Sequence, residues 1–211
     1  MAVFITSDLH LWHSNIAIYC NRPFIEKGYL DSSNKFVSKW AKDKVAFDMN
    51  RELVKRWNET VKPDDTVYNL GDVAMISNRQ KPALSEVLWS LNGEMHLIRG
   101  NHDKNIKDEW FLDNNFKSVQ DYLVVHGVMF CHYPLFGKYD ENTSKKLRGI
   151  VQHYQRIYKK ERCNYLLYGH DHDTQSNDLK RSYNVACDLH DLKPIPITKS
   201  LLHSKARKHW M

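Results

Sequence analysis

Eight side chains suited to holding metal ions or moving protons stand just after short apolar runs: Asp8, His10, Asp72, Asn101, His102, His132, His170 and His172. Carboxylates, an amide oxygen and imidazoles, with no thiolate among them, form a donor set for borderline divalent cations such as Mn2+, Fe2+, Ni2+ or Zn2+. The set is larger than one tetrahedral site needs. Two cations sharing a bridging carboxylate use it economically. Held about 3.5–4 Å apart, such a pair generates a hydroxide and clamps both oxygens of an in-line phosphoryl displacement. A lone histidine at a strand end is ordinarily a satisfied polar residue, so the weight lies in the grouping.

The elements that must position these residues are legible as five runs of strand length and composition: Ala2 to Thr6, Thr66 to Leu70, Met95 to Arg99, Val128 to Cys131 and Asn164 to Tyr168. Each gives way at once to Asp, Asn or His. Gly71, Gly100 and Gly169 follow three of them and permit sharp turns. Five shared polar endings imply a sheet whose C-terminal strand ends face one site. Amphipathic helices are expected over Val45–Val61, Ala83–Leu91 and Ser144–Lys160, the last with Leu147, Ile150, Val151, Tyr154, Ile157 and Tyr158 as its packing stripe. Gly127 predicts a hairpin between Tyr122–His126 and Val128–His132, and Ser182–Cys187 with Ile195–Thr198 reads as a closing pair. The fold class is α/β, a layered sheet sandwich flanked by helices.

A chain of 211 residues is expected to form one domain. Its 27% charged and 42% hydrophobic residues are ordinary for a soluble globular protein. No apolar run approaches the about 20 residues of a membrane span, and the first residues lack a basic segment before an apolar one. The expected compartment is therefore the cytoplasm, without a membrane partner. Four cysteines without CxxC spacing read as reduced thiols, Cys131 and Cys187 as core residues. The net charge of +6 is concentrated locally. Ser144 to Arg162 carries Lys145, Lys146, Arg148, Arg156, Lys159, Lys160 and Arg162 against Glu161 alone, and the tail after Asp191 is basic too. Both are ordinarily solvated surface, and both also suit a nucleic-acid backbone.

In this order, DxH at Asp8 to His10, GD at Gly71-Asp72, GNHD at Gly100 to Asp103, the single His132 and GHxH at Gly169 to His172 resemble the calcineurin-like metallophosphoesterase family. The opening Asp8 to Ile16 and the stretch Tyr19-Cys-Asn-Arg-Pro-Phe24 are similar to its short bacterial and phage members, and a phage origin would make the compartment a host cytoplasm. The resemblance implies two divalent cations per chain, Mn2+ favoured. Asp8, His10 and His172 would hold one; Asn101, His132 and His170 the other; Asp72 would bridge. His102 would steady the phosphoryl oxygens and protonate the leaving group, with Asp103 orienting its imidazole. Alternation along an extended segment would aim His170 and His172 the same way and turn Asp171 from the metals.

Other positions carry two readings. His13 and Asn15 touch substrate or only build their loop; Arg99 meets a substrate phosphate or pairs on the sheet. Asn184 and Asp188 read as supports rather than ligands, and His96 and His126 as structural. The basic segment at 144–162 is an insertion that caps the site and shapes the substrate. The expected activity is hydrolysis of a phosphodiester, a small or cyclic nucleotide in preference to a phosphoprotein. Alternatives are a nuclease guided by the basic helix and tail, a phosphomonoesterase, and a non-catalytic scaffold.

Overall fold

The computed structural model describes residues 1–137, 144–175 and 179–198. In one sheet β1 (Val3–Thr6), β2 (Thr66–Asn69), β3 (Glu94–Ile98) and β4 (Phe116–Gln120) run parallel in the order β4-β3-β2-β1. A second sheet holds β5 (Leu123–Val125), β6 (Val128–Phe130), β7 (Tyr165–Tyr168) and β8 (Ser182–Asn184) in that order. The hairpin of β5 and β6 is antiparallel, as Gly127 predicted, and β6, β7 and β8 are parallel. Last, β9 (Ile195–Pro196) joins the first sheet antiparallel to β1.

Strand alternation sorts the side chains into layers. Phe4, Val67, Met95 and Leu97 face helices outside the first sheet, meeting Met49, Leu53, Trp57, Leu84 and Leu88. Their neighbours Ile5 and Ile98, with Leu70, pack between the sheets on Val128, Phe130, Tyr165 and Leu167. Met129, Leu166 and Tyr168 face outward again beneath Val151 and the rest of the expected helical stripe. Burial of one stripe or face per element thus produces helices, two sheets and a further helix, with the expected strand ends meeting at one edge.

The helices begin with α1 (Ser14–Tyr19), which the sequence reading did not anticipate. Next, α2 (Lys39–Thr60) starts earlier than expected because Ser38 caps it, accepting from Ala41 N–H at 3.1 Å. After α3 (Lys81–Ser90) comes the short α4 (Asp108–Leu112), also unanticipated, leading into β4. The stripe of α5 (Lys145–Lys160) covers the outer face of the second sheet, leaving Lys145, Lys146, Arg156, Lys159 and Lys160 exposed. The expected cap over the site is therefore a cover on a sheet, meeting the site's surroundings where Tyr154 stacks on Tyr133 at 5.7 Å.

The expected closing pair is not a pair. Adjacency in sequence suggested it, but β8 completes the second sheet beside β7 while β9 completes the first beside β1. Between them the chain crosses at the site edge, where Cys187 N–H donates to the Ser7 carbonyl at 3.0 Å. Lys199, Lys205, Arg207 and Lys208 of the basic tail, with His203 and His209, lie outside the described residues. Among the described residues no helix is long and apolar enough to cross a membrane.

Candidate metal centre

The loops leaving β1 and β2 are laced together, Asp8 N–H donating to the Gly71 carbonyl at 2.9 Å and His10 N–H to that of Asp72 at 3.0 Å. Asp8, His10, Asp72 and His170 all have left-handed backbones, with φ of 61°, 51°, 53° and 75°. That conformation is costly for residues with side chains and persists where the surroundings enforce it. Glycine supplies the turn at Gly71, with φ of 96°; at Gly100 and Gly169 its reason is space instead. A Cβ on Gly100 would collide with Asp72, and one on Gly169 with Ser7 and Asp8.

Two donor groups result. Asp8 Oδ1 lies 3.9 Å from His10 Nε2 and 3.8 Å from His172 Nε2. Asp8 Oδ1 and His10 Nε2 are buried with no hydrogen-bond partner, a costly arrangement for polar atoms that a cation among them would resolve. In the second group His132 Nδ1 donates to the Leu70 carbonyl at 2.8 Å, which leaves a lone pair on Nε2. That Nε2 faces Asn101 Oδ1 at 3.1 Å and His170 Nδ1 at 3.2 Å. Asp72 Oδ2 stands between the groups, 3.6 Å from His10 Nε2 and 3.5 Å from His132 Nε2. The residues present therefore fit divalent cations, which require unprotonated donors gathered without donors of their own.

The charge states of His10 and His170 agree, while at His172 a cation would have to displace a proton. Burial raises the Asp8 carboxyl, an opposition that a neighbouring cation would reverse. Burial also lowers the His10 imidazole well below its ordinary value and, with His132 close by, brings His170 to about 4. Both rings are neutral near pH 7. At His172 burial pulls downward, but the 2.7 Å hydrogen bond from Nδ1 to Asp188 Oδ2 prevails and the ring is raised to about 10.

Residues 1–186 match the model of the calcineurin-like phosphoesterase superfamily domain. The chain belongs to the calcineurin-like phosphoesterase superfamily. Its members are metal-dependent hydrolases of phosphate esters. An uncharacterised protein of Methanocaldococcus jannaschii is 42% identical over 102 residues, 48% of this chain and 47% of that protein, so the match spans about half of each. The gene 66 protein of Mycobacterium phage D29 is 25% identical across 95% of this chain and 96% of that one. A protein of unknown function from Aquifex aeolicus shares the fold, with a TM-score of 0.63 at 23% identity over 92% of this chain and 95% of its own.

Within this phosphoesterase fold the remaining expected residues fall unevenly. His102 has its ring at the edge of the site, about a third exposed, with Nε2 3.9 Å from Asp72 Oδ2. Asp103 faces elsewhere. Its Oδ2 accepts from Asp72 and Gly100 N–H, both at 2.8 Å, and its Oδ1 from Val73 N–H at 3.0 Å. The expectation that it orients His102 is corrected: a fully buried carboxylate seeks the loop amides, and it ties the β2 and β3 loops together. Arg99 pairs with Asp108 at the start of α4, a partner on a helix rather than on the sheet. The chain bends at His170 rather than extending, and Asp171 belongs to neither donor group. Burial, with Asp8 and Asp173 adding, pushes its carboxyl up to about 6.

His13 does reach the centre, its Nδ1 lying 3.4 Å from His10 Nδ1. It and Asn15 also line a groove running away between α2 and α3. His96 is held by Ser118 Oγ at 2.8 Å and stacks on Tyr68, a structural arrangement. Asn184 supports the His170 loop, donating through Nδ2 to the Thr174 carbonyl at 2.9 Å.

The residue that sequence reasoning missed is Arg22, buried in the stretch Tyr19 to Phe24. Its guanidinium holds Asp188 through Nε at 2.6 Å and Nη2 at 2.9 Å, and donates to the Asp8 and Leu9 carbonyls, each at 2.8 Å. It therefore links the Asp8 loop to the carboxylate behind His172. The signal was present in the motif, but its partner lies 166 residues away.

Proposed function

We propose that the protein hydrolyses a phosphodiester, with a small or cyclic nucleotide as the substrate class, using two divalent cations of which Mn2+ is favoured. The observation that carries this reading is the pair of donor groups on either side of Asp72, with Asp8 Oδ1 and His10 Nε2 buried and unpartnered. Asp8, His10 and His172 would hold one cation, Asn101, His132 and His170 the other, and Asp72 both. Bound there, the cations would supply Lewis acidity, acidifying water and neutralising phosphoryl oxygens.

The chain's own groups do the rest. Asp188 holds a proton on His172 Nδ1 and so directs Nε2 inward; the Leu70 carbonyl does the same for His132. Asp103 keeps the Asp72 and Asn101 loops in register through three amides. His102, open to solvent at the rim, delivers a proton to the departing oxygen. The groove beside His13 leaves room for a second organic group on phosphorus, which favours a diester.

The test is hydrolysis of bis-p-nitrophenyl phosphate and p-nitrophenyl phosphate by metal-stripped protein with Mn2+, Ni2+, Zn2+ or Mg2+ restored. The expected result is metal-restored cleavage, faster for the diester. Faster cleavage of the monoester would replace the reading with a phosphatase, and no turnover with any metal would overturn it.

A further inference from the structure

The groove that opens at His13 is a cavity of about 1080 Å3, at the upper end of ordinary small-molecule sites. His13 is common to both places: it lines the groove, and its ring centroid lies 5.3 Å from that of His10. The groove therefore begins beside the donor groups, at His13.

Its walls are specific in kind. Phe47 on α2 and Met75 after β2 line it while remaining 62% and 47% exposed, large apolar surfaces not covered by the fold. The Arg51 guanidinium lies 5.9 Å from the Phe47 ring centroid, an aromatic platform already bordered by a planar cation. Lys42 also lines the groove and has no ion pair among the described residues. Asn50 lines the groove and is more than nine-tenths buried; its Oδ1 accepts from Trp12 N–H at 3.0 Å. An aromatic platform, an amide and the cations beside them suit a flat ring with hydrogen-bonding edges joined to an anion.

Building on the phosphodiesterase reading, we infer that this groove binds the nucleoside portion of the substrate, its base against Phe47 and Met75 and its edge at Asn50. The groove, rather than the metal centre, then distinguishes nucleotide diesters from simple ones.

Two diesters that release the same p-nitrophenolate test this: thymidine 5′-p-nitrophenyl phosphate and methyl p-nitrophenyl phosphate. Ala83→Trp, placed on the α3 wall, fills the groove from an incompletely buried position. The wild-type protein is expected to prefer the nucleoside ester, and Ala83→Trp to reduce that preference about tenfold through KM, the scale of discrimination an apolar pocket supplies. An unchanged ratio of the two esters overturns the inference. Cleavage of neither ester by the wild type would instead overturn the phosphodiesterase reading. Equilibrium dialysis of thymidine 5′-monophosphate then tests the groove by itself: wild type is expected to retain it and Ala83→Trp to retain about tenfold less, whereas equal retention overturns the groove assignment.

Discussion

The two halves of the centre are anchored by different means. His132 is aimed by a main-chain carbonyl, that of Leu70, and His170 packs 5.5 Å from the Tyr133 ring, which also stacks on Tyr154. His172 is aimed by a carboxylate, Asp188, which is itself clamped by the buried Arg22. Two imidazoles two positions apart respond oppositely, His170 falling to about 4 through burial and His172 rising to about 10 on Asp188 against burial. One half therefore depends on the backbone and local packing. The other depends on an ionic relay that binds the chain's beginning to its end, and substitution can dissect it.

Breaking what the halves share has the largest effect. Asp72→Asn removes the one charge both groups face, so elemental analysis should find metal content falling toward none and diester turnover falling to background. Next comes a change outside both halves: His102→Ala should keep the metal and lower turnover about 10²–10⁴-fold, the usual contribution of a placed proton donor. Unchanged turnover on an ester with a poor leaving group would make His102 a bystander.

The relay through Asp188 and Arg22 serves only one of the two donor groups. Asp188→Asn should weaken one cation about 10–100-fold, the usual cost of losing a carboxylate behind a ligating imidazole, and spare the other. Arg22→Lys should move the same affinity in the same direction, since an ammonium cannot reproduce the guanidinium's fork on Asp188 and the Asp8 carbonyl. Calorimetric titration with Mn2+ reads both, and equal weakening of the two cations would contradict the division.

The smallest effect is on pH dependence. Burial, with His102 and Arg22 adding, lowers His13 from 6.5 to about 4. A folded pKa below the unfolded one means stability present above about 6.5 and lost as pH falls through about 4. In metal-free protein His13→Gln should make that acid-side loss shallower in thermal melts from pH 7 to 4.

Much of this was legible in the sequence where chemistry and position coincide. Five apolar runs ending in Asp, Asn or His are strands in the fold, and the stripe from Leu147 to Tyr158 located a helix, because burial and periodicity are local signals. What failed had a distant cause. The closing strands were paired with each other because they are neighbours in sequence, yet each found its place beside an earlier strand. Asp103 was assigned to the adjacent His102, whereas its burial directed it to amides of another loop. Arg22 was visible, but nothing near it in sequence announced Asp188. The groove left no pattern, since Asn15 comes from α1, Lys42 and Phe47 from α2 and Met75 from the loop after β2.

Whether two cations act together in a divided centre is decided by titrating metal-stripped wild-type protein with Mn2+ while following heat and bis-p-nitrophenyl phosphate turnover on the same sample. Two Mn2+ per chain, with turnover appearing as the second binds, is the predicted result. Full turnover at one Mn2+ per chain, or no saturable binding, would contradict it.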